Sequence, residues 1–197
     1  MRQSGTVSAK QKRVWRRPAL AGRRARMAKH CPRGGEQLAE RTLSLFHLLG
    51  LEQSDGSVSI YEAFASEPDT SYLRSALEQE GWQVVVPNPD FPSSRVAPFV
   101  EDFDGSFVCS SSGPESPKIA AIVLPGLIFG EDGARLGRGG GWYDQAVDWV
   151  FQAQDSRPVL VGLCFDGELR GPGLVPVETH DVPMDYVVTP NRTVAVT

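Results

Sequence analysis

Residues 118–126 read KIAAIVLPG, with six apolar residues in unbroken succession from Ile119 to Leu124. A strand with one wet face alternates apolar and polar side chains, so this run fits a strand buried on both faces. Burial on two sides requires a layer of structure above and below the sheet. PVLVGLCF at 158–165 is a second such run, and WYDQAVDWVFQA at 142–153 between them has helical spacing. Strands that alternate with helices predict a mostly parallel sheet with helices on both faces, a three-layer α/β/α, Rossmann-like arrangement.

The flanking sequence extends that pattern. A helix rich in Ala, Leu and Arg is expected from Lys10 to about Lys29, with Pro18 kinking it or marking a restart. EQLAERTLSLFHLLG at 36–50 carries Leu38, Leu43, Leu45, Phe46 and Leu49 at helical spacing and closes on Gly50. A further helix starts at Asp69 or Thr70 and runs to Gly81. Strands are expected in SVSIYEAF (57–64), WQVVVP (82–87), VAPFV (96–100), SFVCS (106–110) and finally MDYVVT (184–189). Between the run at 118–126 and the glycines near 140 the pattern gives only a long loop. No internal repeat or linker divides the chain, so residues 10–197 are expected to form a single α/β domain behind a flexible lead-in at 1–9.

Charge is distributed very unevenly. Residues 1–35 hold eleven Lys or Arg and no acid, leaving nine basic residues against twenty-four acidic ones in the remainder. Such a segment reads as an organellar transit peptide, as a nucleic-acid-binding arm, or as a helix that is either simply solvated or turned toward an anionic ligand. Only Trp15 is available to stack on a base. Cys31, Cys109 and Cys164 are far apart and form no CxxC pair, the pattern of reduced thiols in a cytosol-like compartment. No apolar run approaches the ~20 residues of a membrane helix.

The stretch GARLGRGGGWYD (133–144) places Gly137, Gly139, Gly140 and Gly141 beside Arg135 and Arg138. Glycine costs roughly 0.5–1 kcal/mol per position relative to alanine in regular structure, so the run signals close approach of backbone or positive φ. It follows a buried strand and leads into a helix near Trp142, where free N–H groups and the positive helix end favour an anion. The two arginines add charge-assisted donors, and Asp144 in the first turn could hold Mg²⁺ on phosphate oxygens. Alternatively the loop is only flexible, and Asp144 only complements the helix dipole. A P-loop is absent, and Trp142 stands where a dinucleotide fingerprint needs its third glycine.

PGLIFGEDGARLGRGGGWYDQAV (125–147) closely resembles the signature of the 5-formyltetrahydrofolate cyclo-ligase family, approximately P-G-L-A-F-D-x-x-G-x-R-L-G-x-G-x-G-Y-Y-D. KRVWR (12–16), SEPDT (66–70) and VPVETHDVPMDYVVT (175–189) resemble further family motifs in the same order. The resemblance implies that Lys12 and Arg16 hold ATP phosphates. It implies that Arg135, Gly137, Arg138, Gly139, Gly140, Gly141, Trp142 and Tyr143 form a nucleotide-and-substrate loop. Asp144 and Asp181 would bind Mg²⁺, and Glu67, with Tyr61, would face the pterin. Arg138, Tyr143 and Asp144 would be the catalytic group, with Arg138 and Trp142 also touching substrate. On this resemblance the basic segment is ligand-facing charge. Three residues depart from the pattern: Ile128 for a small residue, Gly130 for the usual Asp, and Trp142 for the first Tyr. The portion 88–117 matches weakly.

The reaction implied is ATP-dependent ring closure of 5-formyltetrahydrofolate, in a cytoplasmic monomer with ATP and Mg²⁺ and no membrane or nucleic-acid partner. Phosphorylating the formyl oxygen makes it a leaving group that N10 can displace, a task of positioning and charge neutralisation. No nucleophile is evident: Cys164 is expected in the core, His47 on the apolar side of its helix, and His180 beside Asp181. A relative that binds the same ligands without turning them over remains the alternative.

Overall fold

The computed structural model of the protein describes residues 9–27, 33–64, 66–92, 96–103, 106–107 and 117–196. Lead-in residues 1–8, the expected helix end at Lys29, Cys31, Cys109 and the tail of the SFVCS strand lie outside the described residues. The helices are α1 (Ala9–Met27), α2 (Arg33–Leu49), α3 (Ser71–Gln79) and α4 (Trp142–Ala153). The strands up to the glycines are β1 (Ser57–Ser59), β2 (Val84–Pro87), β3 (Phe99–Phe103), β4 (Ser106–Phe107), β5 (Ile119–Pro125), β6 (Ile128–Gly130) and β7 (Arg135–Leu136). After them come β8 (Val159–Leu163), β9 (Leu169–Arg170), β10 (Tyr186–Val188) and β11 (Thr193–Ala195).

Eight strands form the main sheet in the order β11-β10-β8-β5-β1-β2-β3-β4. The five inner strands, β10 to β2, run parallel, while β11, β3 and β4 pair antiparallel at the two edges. β5 sits in the middle, and its alternate residues serve opposite layers. Ala121 and Val123 face Leu38, Phe46, Leu73 and Leu77 of α2 and α3. Ile122 and Leu124 face Ala146, Val147 and Val150 of α4. The unbroken apolar run thus has its cause in the helices on both faces, as expected.

Several local readings change. In β1 the Ser-Val alternation does not mark a wet face, because Ser57 and Ser59 are buried as well, and the strand ends at Ser59 instead of running to 64. Helix α1 passes Pro18 without interruption. Pro18 and Val14, one turn apart, both face solvent, so the carbonyl that the proline leaves without a donor lies on the wet side. His47 is exposed and pairs with Glu80 at 2.9 Å, because Phe46 takes the core position and the next residue turns outward.

The expected long loop contains a second sheet, β7-β6-β9. Ile128 and Leu136 of this sheet, with Leu127 before β6 and Val175 after β9, pack against Trp15, Ala19 and Leu20 of α1. Ile128 therefore fills the contact between this sheet and the helix. At Gly130 a Cβ would come within 2.2 Å of Asp132 Oδ1. The Asp132 carboxylate occupies that space and accepts the Gly173 N–H at 2.8 Å, which ties the hairpin to the loop after β9.

Phe129, fully buried, lies between two glycines. A Cβ would meet its ring at 2.6 Å from Gly126 and at 2.3 Å from Gly162. Gly162→Ala is expected to lower stability by about 1–3 kcal/mol through overpacking, read as a fall in the denaturation midpoint. An unchanged midpoint would show that the ring moves freely.

Candidate active site

A cavity of about 300 Å³ opens where the parallel strands end and α4 begins, the usual ligand position in such sheets. Tyr61 reaches it from the segment after β1, and Pro125 and Gly126 from the end of β5. The glycine loop and the first turn of α4 form one wall, and Lys12 and Arg16, one turn apart on α1, form another. Every residue to which the resemblance gives a site role lines this one cavity: Lys12, Arg16, Tyr61, Glu67, Arg135, Gly137, Arg138, Gly139, Gly140, Gly141, Trp142, Tyr143, Asp144 and Asp181. Glu62, Phe64, Glu178 and His180 join them. Glu178 was legible within VPVETHD but not singled out; Phe64 carried no signal beyond being aromatic.

The glycine run has a steric reason. Gly139 and Gly141 have φ of 104° and 66°, both in the left-handed range. A Cβ at Gly139 would stand 2.9 Å from the Arg16 guanidinium, which donates from Nε to the Gly137 carbonyl at 3.0 Å. The helix thus closes onto the loop through a place that only glycine leaves open. Gly141 is the N-cap of α4, and the first turn of that helix lines the cavity.

Three cations of the cavity, Lys12, Arg135 and Arg138, are paired with its carboxylates. Lys12 Nζ contacts Asp181 and lies 2.8 Å from Glu178. Arg135 Nη2 donates to Asp144 Oδ1 at 2.6 Å, and Arg138 donates to Glu67 Oε1 from Nε at 3.1 Å and from Nη2 at 3.0 Å. Arg135 is 8% exposed, and its Nε is buried with no hydrogen-bond partner among the described residues. Glu178, His180 and Asp181 bring one ligand atom each within 4.8 Å of one another. Asp144 is not in that group and is held by Arg135 instead.

The aromatic residues are fixed. Tyr61 Oη donates to the Pro68 carbonyl at 2.9 Å, so its hydroxyl is committed to the protein. Trp142 donates from Nε1 to the Phe91 carbonyl at 2.8 Å and meets Phe91, Phe99 and Tyr143 edge-on. The tryptophan at this position therefore buttresses the loop that follows β2 while its ring lines the cavity. Burial, then the nearby Glu67 carboxylate, pushes the Tyr143 phenol above its ordinary pKa, so it stays protonated and can donate. Burial also raises the Cys164 thiol, which remains neutral in the core and supplies no nucleophile.

The family model of the 5-formyltetrahydrofolate cyclo-ligase family matches residues 8–190. The chain belongs to this family. Similar proteins include the mitochondrial 5-formyltetrahydrofolate cyclo-ligase of Arabidopsis thaliana, 37% identical over 83 residues, 40% of this chain and 30% of that protein. The 5-formyltetrahydrofolate cyclo-ligase of Mycolicibacterium smegmatis is 29% identical over 159 residues, 74% of this chain and 79% of that protein. The chain thus matches under a third of the plant relative's length and most of the mycobacterial one's. Its fold is that of a solved 5,10-methenyltetrahydrofolate synthetase from Mycoplasma pneumoniae, with a TM-score of 0.63 at 17% identity over 91% of this chain and 98% of that one. No helix among the described residues is long and apolar enough to cross a membrane.

Proposed function

We propose that the protein catalyses the ATP- and Mg²⁺-dependent closure of 5-formyltetrahydrofolate to 5,10-methenyltetrahydrofolate, as a monomeric, cytoplasmic, single-domain enzyme. The observation that carries this reading is the pairing of cations with carboxylates around one cavity. Guanidinium and ammonium groups of that kind suit a triphosphate. The carboxylates they would release suit a hard cation and the N–H edge of a pterin.

In this reading Lys12, Arg16, Arg135 and Arg138 take phosphate oxygens, with the α4 N-terminus and the glycine backbone beneath them. Asp144 and Asp181 are oxygen donors that fit Mg²⁺, and the contact of Lys12 with Asp181 and Glu178 marks a spot already shaped for positive charge. The ion supplies charge neutralisation on the phosphates when bound. Glu67, released by Arg138, accepts from the pterin, while Tyr61 and Trp142 offer ring faces because their polar atoms are engaged elsewhere.

The formyl oxygen attacks the γ-phosphorus, and the bond to the β–γ bridging oxygen breaks to release ADP. N10 then attacks the activated carbon, the C–O bond breaks with its electrons going to phosphate, and the N10 proton is lost. In this reading Arg138 and the protonated Tyr143 hold the transferring group and the formyl oxygen in line. The test is the ultraviolet absorbance of the methenyl product with 5-formyltetrahydrofolate, ATP and Mg²⁺. A rise that needs all three is expected. Stoichiometric nucleotide binding without a rise would replace the enzyme with a binding module.

A further inference from the structure

Phe64 is 69% exposed although it lines the cavity, which puts its ring at the rim. A lone phenylalanine on a surface means little, but this one is held in place. Its N–H donates to Glu67 Oε2 at 3.1 Å, and the Glu67 N–H donates back to the Phe64 carbonyl at 2.7 Å. The Arg138 guanidinium, itself bonded to Glu67, lies 5.5 Å from the ring centroid. The backbone of Phe64 is therefore tied by two hydrogen bonds to Glu67, one of them to the carboxylate that would read the pterin, and most of the Phe64 surface is left open.

The cavity is too small for the whole ligand set. About 300 Å³ is the lower end of the range that encloses one drug-sized molecule, and here it must admit both a triphosphate end and a pterin. The remainder of a folate, an aryl ring joined through N10 and then an anionic amino-acid tail, has to leave across the rim. We infer that Phe64 is the subsite for that aryl ring, an inference that rests on the folate reading above. Ring stacking there would also orient N10, which is bonded to the same aryl group, toward the formyl carbon.

The experiment compares wild type, Phe64→Ala and Phe64→Tyr in steady-state kinetics, with 5-formyl-6-methyltetrahydropterin, which lacks the aryl tail, as a competitive inhibitor. Phe64→Ala is expected to raise the folate KM about three- to tenfold. The ATP KM, the inhibition constant of the tail-less pterin and the thermal midpoint should hold, and Phe64→Tyr should restore the folate KM. An unchanged folate KM overturns the subsite. Equal weakening of the tail-less pterin overturns it too, and a raised ATP KM reassigns the ring to the nucleotide. Wild-type protein without turnover overturns the proposed activity instead, and the two ligands are then compared by calorimetry with the same criteria.

Discussion

Asp144→Asn is expected to cut turnover by about a hundred- to a thousandfold, the loss that follows removal of one preorganised electrostatic contact to a transition state. The substitution is nearly isosteric. Asp144 Oδ1 accepts from Arg135 Nη2 at 2.6 Å, and an asparagine oxygen can accept the same bond. What disappears is the negative charge, and with it the proposed role of Asp144 as an oxygen donor to Mg²⁺. The fold should hold, since the asparagine keeps the bond to Arg135 while that pair loses its ionic part and the first turn of α4 loses a favourable interaction with the helix dipole, about 0.3–1 kcal/mol. The measurement is turnover across a magnesium series with a denaturation curve beside it. Near-normal turnover at low magnesium would remove the metal role from Asp144, and a collapsed midpoint would make the residue structural.

The sequence was most legible where a single physical constraint acts on consecutive residues. Burial on both faces wrote the apolar run of β5, and helical periodicity wrote α4, which spans the expected residues 142–153. The glycine loop was legible for the same reason: the approach of Arg16 and two left-handed φ values demand glycine whatever the ligand. Pairwise constraints between distant residues left no such trace. β6, β7 and β9 are two or three residues long, too short for a period to show, and the apolar residues of β6 and β7 are covered by α1 from far away in the chain. The antiparallel edge strand β11 (TVA) is equally short. Within the site, the residue types were readable but their pairings were not. Nothing in the chain order says that Arg138 meets Glu67, 71 positions away, or that Lys12 meets Asp181, 169 positions away.

The pairing of Arg23 with Glu168 is the most consequential of these unwritten contacts, and it carries the largest expected effect on stability. Both side chains are fully buried. Arg23 donates from Nε to Glu168 Oε1 at 2.6 Å and from Nη2 to Oε2 at 2.7 Å, and Nη2 also bonds the Gly126 carbonyl at the cavity wall. The guanidinium thus fastens α1, which carries Lys12 and Arg16, to the segment after β8 and to the loop after β5. Removing one partner strands the other charge out of water, so Glu168→Ala should cost about 3–5 kcal/mol, whereas replacing both partners by apolar residues of similar size should cost far less. If Glu168→Ala and the double variant Arg23→Met/Glu168→Leu denature at the same midpoint, the ion pair is not what holds the helix. If the double variant recovers stability yet binds ATP more weakly than wild type, the pair acts by setting where α1 presents the two cations proposed to take phosphate. Equal ATP affinity would confine the pair to stability alone.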